Sequence, residues 1–231
     1  MKTRILSVAI IMFAMVSGLF AQADMKETMA MIKKNLADSK EKLKKFEWIE
    51  TTTTFVNGEK KSVKQNQCYY SLDGKLTKVE TGGSVQGKTP GGLRGKIAAG
   101  KKEDMADYIK AAIAKVHAYL PPDAGKIQQT FEAGKMAIQI LEPGKKFKLS
   151  FPDFNEKGDL LSISVDKANQ KILAMSVTTT VDDPAKKVVF DVVYSILPDG
   201  TQYASSTTLD AQAKNLKLVI ENSGFKMAAG K

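Results

Sequence analysis

Val188-Val189-Phe190-Asp191-Val192-Val193-Tyr194-Ser195-Ile196-Leu197, then Pro198-Asp199-Gly200, then Gln202–Leu209, reads as a strand, a turn and a strand. The first run is dense in β-branched and aromatic residues, and Pro-Asp-Gly supplies the turn. Side chains alternate across a strand, so Val188, Phe190, Val192, Tyr194 and Ile196 share one face. Val189, Asp191, Val193, Ser195 and Leu197 share the other, and both faces are largely apolar. Upstream, Ile172–Val181 places Leu173, Met175, Val177 and Val181 on one side and Ala174, Ser176 and Thr178 on the other. A sheet with one strongly apolar face, apolar on both over part of its area, has to be covered by other elements.

Working outward, the same signature recurs. Met136–Leu141, Phe147–Phe151, Leu160–Asp166 and Leu216–Glu221 read as strands separated by Pro143-Gly144, Asn155–Gly158, Lys167–Gln170 and similar turns. Nearer the N-terminus, Trp48–Val56 meets Asn57-Gly58, a strong hairpin signal. Val63–Leu72 and Lys75–Thr81 complete a three-strand antiparallel meander. That makes about ten strands. Three helices are expected. Met25, Met29, Ile32, Leu36 and Leu43 recur at helical spacing over roughly Met25–Lys45, with Asp24 and Glu27 as a capping-box-like start. Met105, Tyr108, Ile109, Ala112, Ile113, Val116 and Leu120 form a second apolar stripe, stopped by Pro121-Pro122. A short third helix spans about Asp123–Phe131. Between meander and second helix, Gly82–Gly100 contains seven glycines and Pro90 and reads as a loop. The expected fold is α+β: a curved antiparallel sheet, an unclosed half-barrel of about ten strands, with helices on its concave side.

The first 23 residues set the compartment. Lys2 and Arg4 precede the apolar run Ile5–Phe20, and Ala21-Gln22-Ala23 offers an A-x-A cleavage site. This is the pattern of a secretory signal peptide, residues 1–23, and the run is short for a membrane span. No Cys stands at the cleavage point, so the chain 24–231, read as one domain, is expected to be released into the periplasm rather than lipid-anchored.

Composition narrows the function. The net charge is +10, and beyond the signal peptide the basic residues are Lys except Arg94. Nucleic-acid recognition usually uses sets of Arg forks, and beyond the signal peptide this chain has only Arg94, so nucleic acid is not an expected partner. Cys68, the single cysteine, excludes an internal disulfide and reads as a small buried hydrophobe. His117, the single histidine, leaves a triad or a His-rich metal site nothing to build on. Gly82-Gly83-Ser84-Val85-Gln86-Gly87-Lys88-Thr89 satisfies the phosphate-loop spacing. Pro90-Gly91-Gly92 opposes a helix starting at Lys88-Thr89, and the preceding strand belongs to an antiparallel hairpin series, so a flexible loop is the simpler reading. Asp182-Asp183 and the Asp153/Glu156 region read as turn carboxylates rather than a cation site. No enzyme, metal or cofactor is expected.

Taken in order, a signal peptide, an amphipathic helix, three meander strands, a helical insertion and a long run of strands resemble the LolA/LolB-like lipoprotein-carrier fold. Leu161-Ser162-Ile163-Ser164-Val165-Asp166-Lys167-Ala168-Asn169-Gln170-Lys171-Ile172-Leu173 looks like that family's strand–turn–strand, and so does the strand pair around Pro198-Asp199-Gly200. The resemblance implies a half-barrel whose hydrophobic cavity takes lipid or lipoprotein acyl chains, with membrane-associated proteins as further partners. With no Cys at the cleavage point, the chain sits with the soluble LolA side. Such carriers hold their helical lid with an Arg on an inner-facing strand. Here Arg94 lies in the Gly-rich stretch and no strand carries an Arg, so no latch residue is carried over.

The leading expectation is a monomeric periplasmic carrier or binder of lipid-like apolar ligands. Its candidate lipid-binding residues are Trp48, Phe55, Ile109, Ile113, Phe190, Val192 and Tyr194, large apolar groups at positions able to face inward. The alternative is a periplasmic protein-interaction, regulatory or sensor module of the same fold with a filled core and no cargo.

Overall fold

The computed structural model describes residues 27, 30–85, 92–120, 122–181, 183 and 185–228. The expected signal peptide lies outside them. Helix α1 occupies 30–43. Strands β1 (Phe46–Val56), β2 (Glu59–Tyr70) and β3 (Leu76–Val85) follow, then helices α2 (Gly92–His117) and α3 (Ala124–Glu132). Seven strands complete the chain: β4 (Ala137–Glu142), β5 (Lys146–Pro152), β6 (Leu160–Asp166), β7 (Lys171–Thr180), β8 (Lys187–Ile196), β9 (Gln202–Ala211) and β10 (Leu216–Met227).

All ten strands join one antiparallel sheet in the order β3-β2-β1-β10-β9-β8-β7-β6-β5-β4. The single non-sequential neighbour is β10 beside β1, which joins the N-terminal meander to the C-terminal one. The outer strands β3 and β4 do not meet, so the half-barrel is unclosed. Six of the nine strand pairs carry a register shift, and an extra residue bends the strand that holds it, which curves the sheet. The first hairpin turns as its sequence requires: Asn57 and Gly58 both take positive φ, 54° and 78°.

One face of the curved sheet carries the helices. A first core joins Ile32 of α1 and Tyr119 to Leu149, Phe151, Leu161, Ile163, Val165, Met175, Val177 and Val192. A second joins Tyr108, Ala112 and Val116 of α2 to Val188, Leu209, Ala211 and Leu216. Phe190 and Leu120 pack against both. These concave-face positions alternate along each strand with solvent-facing ones, which is what a two-layer fold demands.

The stretch expected as a loop, Gly82–Gly100, is corrected. Gly82 to Val85 continue β3, and residues 92–100 form the start of α2; only 86–91 fall outside the described residues. Gly83 owes its identity to the ladder. A Cβ there would come within 2.5 Å of the Val63 carbonyl oxygen, at the register shift between β2 and β3. Gly82, the first glycine of the phosphate-loop spacing, and Gly83 beside it are therefore strand residues on an antiparallel edge, and Gly87, Lys88 and Thr89 lie outside the described residues.

Candidate functional site

The concave face divides into two arms. On β5 to β10 its residues are mostly apolar: Phe147, Leu149 and Phe151 on β5; Leu161, Ile163 and Val165 on β6; Met175 and Val177 on β7; Val188, Phe190, Val192 and Tyr194 on β8; Leu209 on β9; Leu216 and Leu218 on β10, with Thr179 on β7 and Thr207 on β9 among them. Leu149, Phe151, Leu161, Val177 and Val188 are fully buried.

The second arm continues the same face onto β1, β2 and β3, where it turns polar: Trp48, Glu50, Thr52 and Thr54 on β1 oppose Cys68, Asn66, Lys64 and Ser62 on β2. Glu50 is 8% exposed. Its carboxylate accepts from Lys78 Nζ at 2.6 Å and from Asn66 Nδ2 at 3.3 Å. Burial pushes the Cys68 thiol up, and the Glu50 charge adds to the effect, which disfavours the thiolate. At the end of this arm Trp48 stacks on Phe225 at 5.5 Å, packs near Tyr70 at 6.0 Å, and donates its indole N–H to Asn222 Oδ1 at 3.0 Å.

Polar contacts at α1 and just after α2 hold the helices to the apolar arm. On α1, Ser39 Oγ accepts the backbone N–H of Gln202 at 3.0 Å, and Asn35 Nδ2 donates to the Gln170 carbonyl at 2.9 Å. Ile32 is buried beneath that helix and Leu36 is half-buried. The Gln202 side chain is buried too, its amide donating to the Ile172 carbonyl and its Oε1 left without a hydrogen-bond partner among the described residues. After α2, the Tyr119 hydroxyl donates to Asp159 Oδ2 at 2.5 Å, and that oxygen also accepts the backbone N–H groups of Asn155 and Glu156. Burial and then this carboxylate push the Tyr119 hydroxyl well above its ordinary value.

The seven candidate residues separate. Phe190, Val192 and Tyr194 come together on β8 beneath the helices; Val192 is buried, and burial raises the Tyr194 hydroxyl. Ile109 packs on the second core. Trp48 lies on the same concave face but in the polar arm. Phe55 is on the convex face: its neighbour Val56 is the one that meets the second core, and Phe55 lines an open depression of about 690 Å³ with Asp210, Lys217 and Val219. Ile113 is 41% exposed, because the buried stripe of α2 runs through Tyr108, Ala112 and Val116 and leaves Ile113 outside it. Sequence reasoning missed Asn35, Ser39, Gln202, Tyr119 and Asp159. Their roles depend on partners 40 to 163 residues away, and no local pattern announces them. Among the described residues no group of three or more His, Cys, Asp or Glu is placed to hold a metal ion. No helix described is long and apolar enough to cross a membrane.

The chain is similar to solved structures of three proteins. A LolA superfamily protein from Nitrosomonas europaea matches at 9% identity and a TM-score of 0.37, over 87% of this chain and 94% of the other. A proposed outer membrane lipoprotein-sorting protein domain from Vibrio parahaemolyticus matches at 10% identity and 0.35, over 91% and 93%. A DUF1329 family protein from Desulfovibrio piger matches at 9% identity and 0.30, over 87% and 94%. No family profile matches the chain, and neither does any curated protein sequence. The half-barrel is established by its own strand order and open edges.

Proposed function

We propose that this chain is an exported, non-enzymatic carrier or binder of lipid-like apolar ligands, such as lipoprotein acyl chains, that works in the periplasm. The observation that supports it is the pairing of a largely apolar concave face with a helix, α1, whose described residues attach to it at few points. The described part of α1 contributes Ile32 and Leu36, roughly 1.5–3 kcal/mol each when fully buried, and two neutral hydrogen bonds at about 1 kcal/mol each. A buried acyl chain gains about 0.8 kcal/mol per CH₂, so ~14 methylenes provide about 11 kcal/mol. An acyl chain of this size has a gross burial gain of the same order as the described hold of α1, which supports a helix that can give way to a ligand at the core containing Val192, Phe190 and Tyr194. The N-terminal signal pattern supports export, and the absence of a poised nucleophile or acid–base pair in the sequence supports binding over catalysis.

A second reading, an interaction or regulatory module without cargo, is favoured by one observation. Phe151, Leu149, Leu161 and Val177 already fill the space under the helices.

Native mass spectrometry of the mature protein purified from its periplasm, followed by lipid extraction, separates the two. The carrier reading predicts bound phospholipid or acylated peptide near one per chain. A clean apo mass that takes up no added lipid sinks it in favour of the module.

A further inference from the structure

The two free edges of the sheet are finished differently. Strand β3 carries Lys78 and Glu80, paired with Glu50 and Lys64 at 2.6 and 2.7 Å, and its end is Gly82-Gly83. Charged side chains of this kind discourage a further strand from adding. Strand β4 has none until Glu142. Ile138, Ile140 and Leu141 are 50%, 63% and 48% exposed along it, and among the described residues its outer backbone edge has no neighbour in the sheet. Ile138 and Ile140 share the concave face, since they oppose Leu149 and Phe147 of β5, and Ala137 and Gln139 face the other way. An apolar open edge invites one more strand.

We propose that β4 pairs with β4 of a second copy of this chain, antiparallel, about a two-fold axis at Gln139. Keeping concave residues opposite concave residues restricts the pairing to alternate registers. The one centred on Gln139 sets Ile138 against Ile140 of the partner and Ile140 against Ile138. On the convex face it sets Ala137 against Leu141, and Gln139 against its own copy. A shift of two residues in one direction puts Ile138 opposite Glu142. A shift of two in the other puts Leu141 opposite Lys135. Only the centred register sets all the exposed aliphatics against uncharged partners at once and leaves Glu142, already paired with Lys145 and Lys146 at 2.9 and 2.8 Å, at the end of the ladder. The register shift at Ile140–Glu142 bends β4 there and limits the ladder to Ala137–Leu141. So short a ladder buries less than the ~1,200 Å² of a standard interface, so the dimer is weak and concentration-dependent. The pairing is isologous, closes on itself and leaves both concave faces open on the same side.

Sedimentation of the purified full-length mature chain from about 1 μM to about 1 mM tests this. A monomer–dimer equilibrium is expected, abolished by Ile140→Lys without change in melting temperature. Single substitutions read the register: Gln139→Cys is expected to crosslink to itself under mild oxidation, while Ala137→Cys and Leu141→Cys are not. A monomer at every concentration, a dimer that survives Ile140→Lys, or self-crosslinking at position 137 or 141 in place of 139 overturns it.

Discussion

The apolar arm of the concave face, β5 to β10, and the polar arm, β1 to β3, are one continuous sheet with opposite chemistry. On the first, fully buried side chains such as Phe151 and Leu161 bind the helices to the sheet. On the second, the same pleat positions hold Glu50, Thr52, Thr54, Lys64 and Asn66. Strand order alone does not create this difference, because both arms are antiparallel meanders of similar strands. The side-chain alternation does, and it tells which arm needs a cover.

The largest expected effect is in the apolar arm. Phe151→Ala removes a ring with no exposure and should cost ~3–5 kcal/mol in denaturant titration. Thr52→Ala, at an equivalent pleat position in the polar arm, should stay within about 0.5 kcal/mol. Similar losses from the two would dissolve the distinction between the arms.

Next comes the attachment after α2. Tyr119→Phe leaves the Asp159 carboxylate one donor short in a buried place, a loss of ~1.5–3 kcal/mol. The same residue gives a pH signature. Its folded-state hydroxyl is raised, so its contribution is fully present below the unfolded tyrosine value of 10.0 and is lost as pH climbs above that towards the folded value. Wild-type stability should fall above about pH 10, and Tyr119→Phe should flatten part of that fall. An unchanged alkaline profile would refute the assignment.

Within the polar arm, Lys78→Met strands the Glu50 carboxylate on Asn66 alone. Lys78 is half-exposed and water screens the pair, so ~1–2 kcal/mol is expected. A double-mutant cycle with Glu50→Gln should recover most of it. The smallest effect belongs to α1. Asn35→Ala and Ser39→Ala should each cost about 1 kcal/mol, felt locally: amide exchange in 30–43 should quicken while global unfolding shifts little.

Much of the fold was legible because its signals are local. Period-two alternation in Val188–Leu197 and turns such as Asn57-Gly58 and Pro198-Asp199-Gly200 place ten strands near their observed positions. Gly82–Gly100 misled because glycine weakens both strand and helix propensity, yet here Gly83 serves a close strand approach and Gly92, Gly95 and Gly100 lie within α2. The site was legible only in part. Phe190, Val192 and Tyr194 share a face by simple parity. Phe55 was misplaced because Val56, one residue on, is the position whose parity matches Leu216, and nothing local to β1 says which of two adjacent apolar residues faces the helices. The α1 attachments were invisible, since Ser39 and Asn35 look like ordinary solvated residues of an amphipathic helix.

The most direct test of the central claim is photo-crosslinking of the delipidated mature protein with a diazirine-bearing fatty acid, with adducts mapped by peptide mass spectrometry. Lipid binding to the apolar arm predicts near-stoichiometric labelling concentrated on β7 to β9, around Met175, Phe190, Val192 and Tyr194, and competed by unlabelled phospholipid. Labelling that is absent, confined to the convex depression around Phe55, or indifferent to competitor would contradict it.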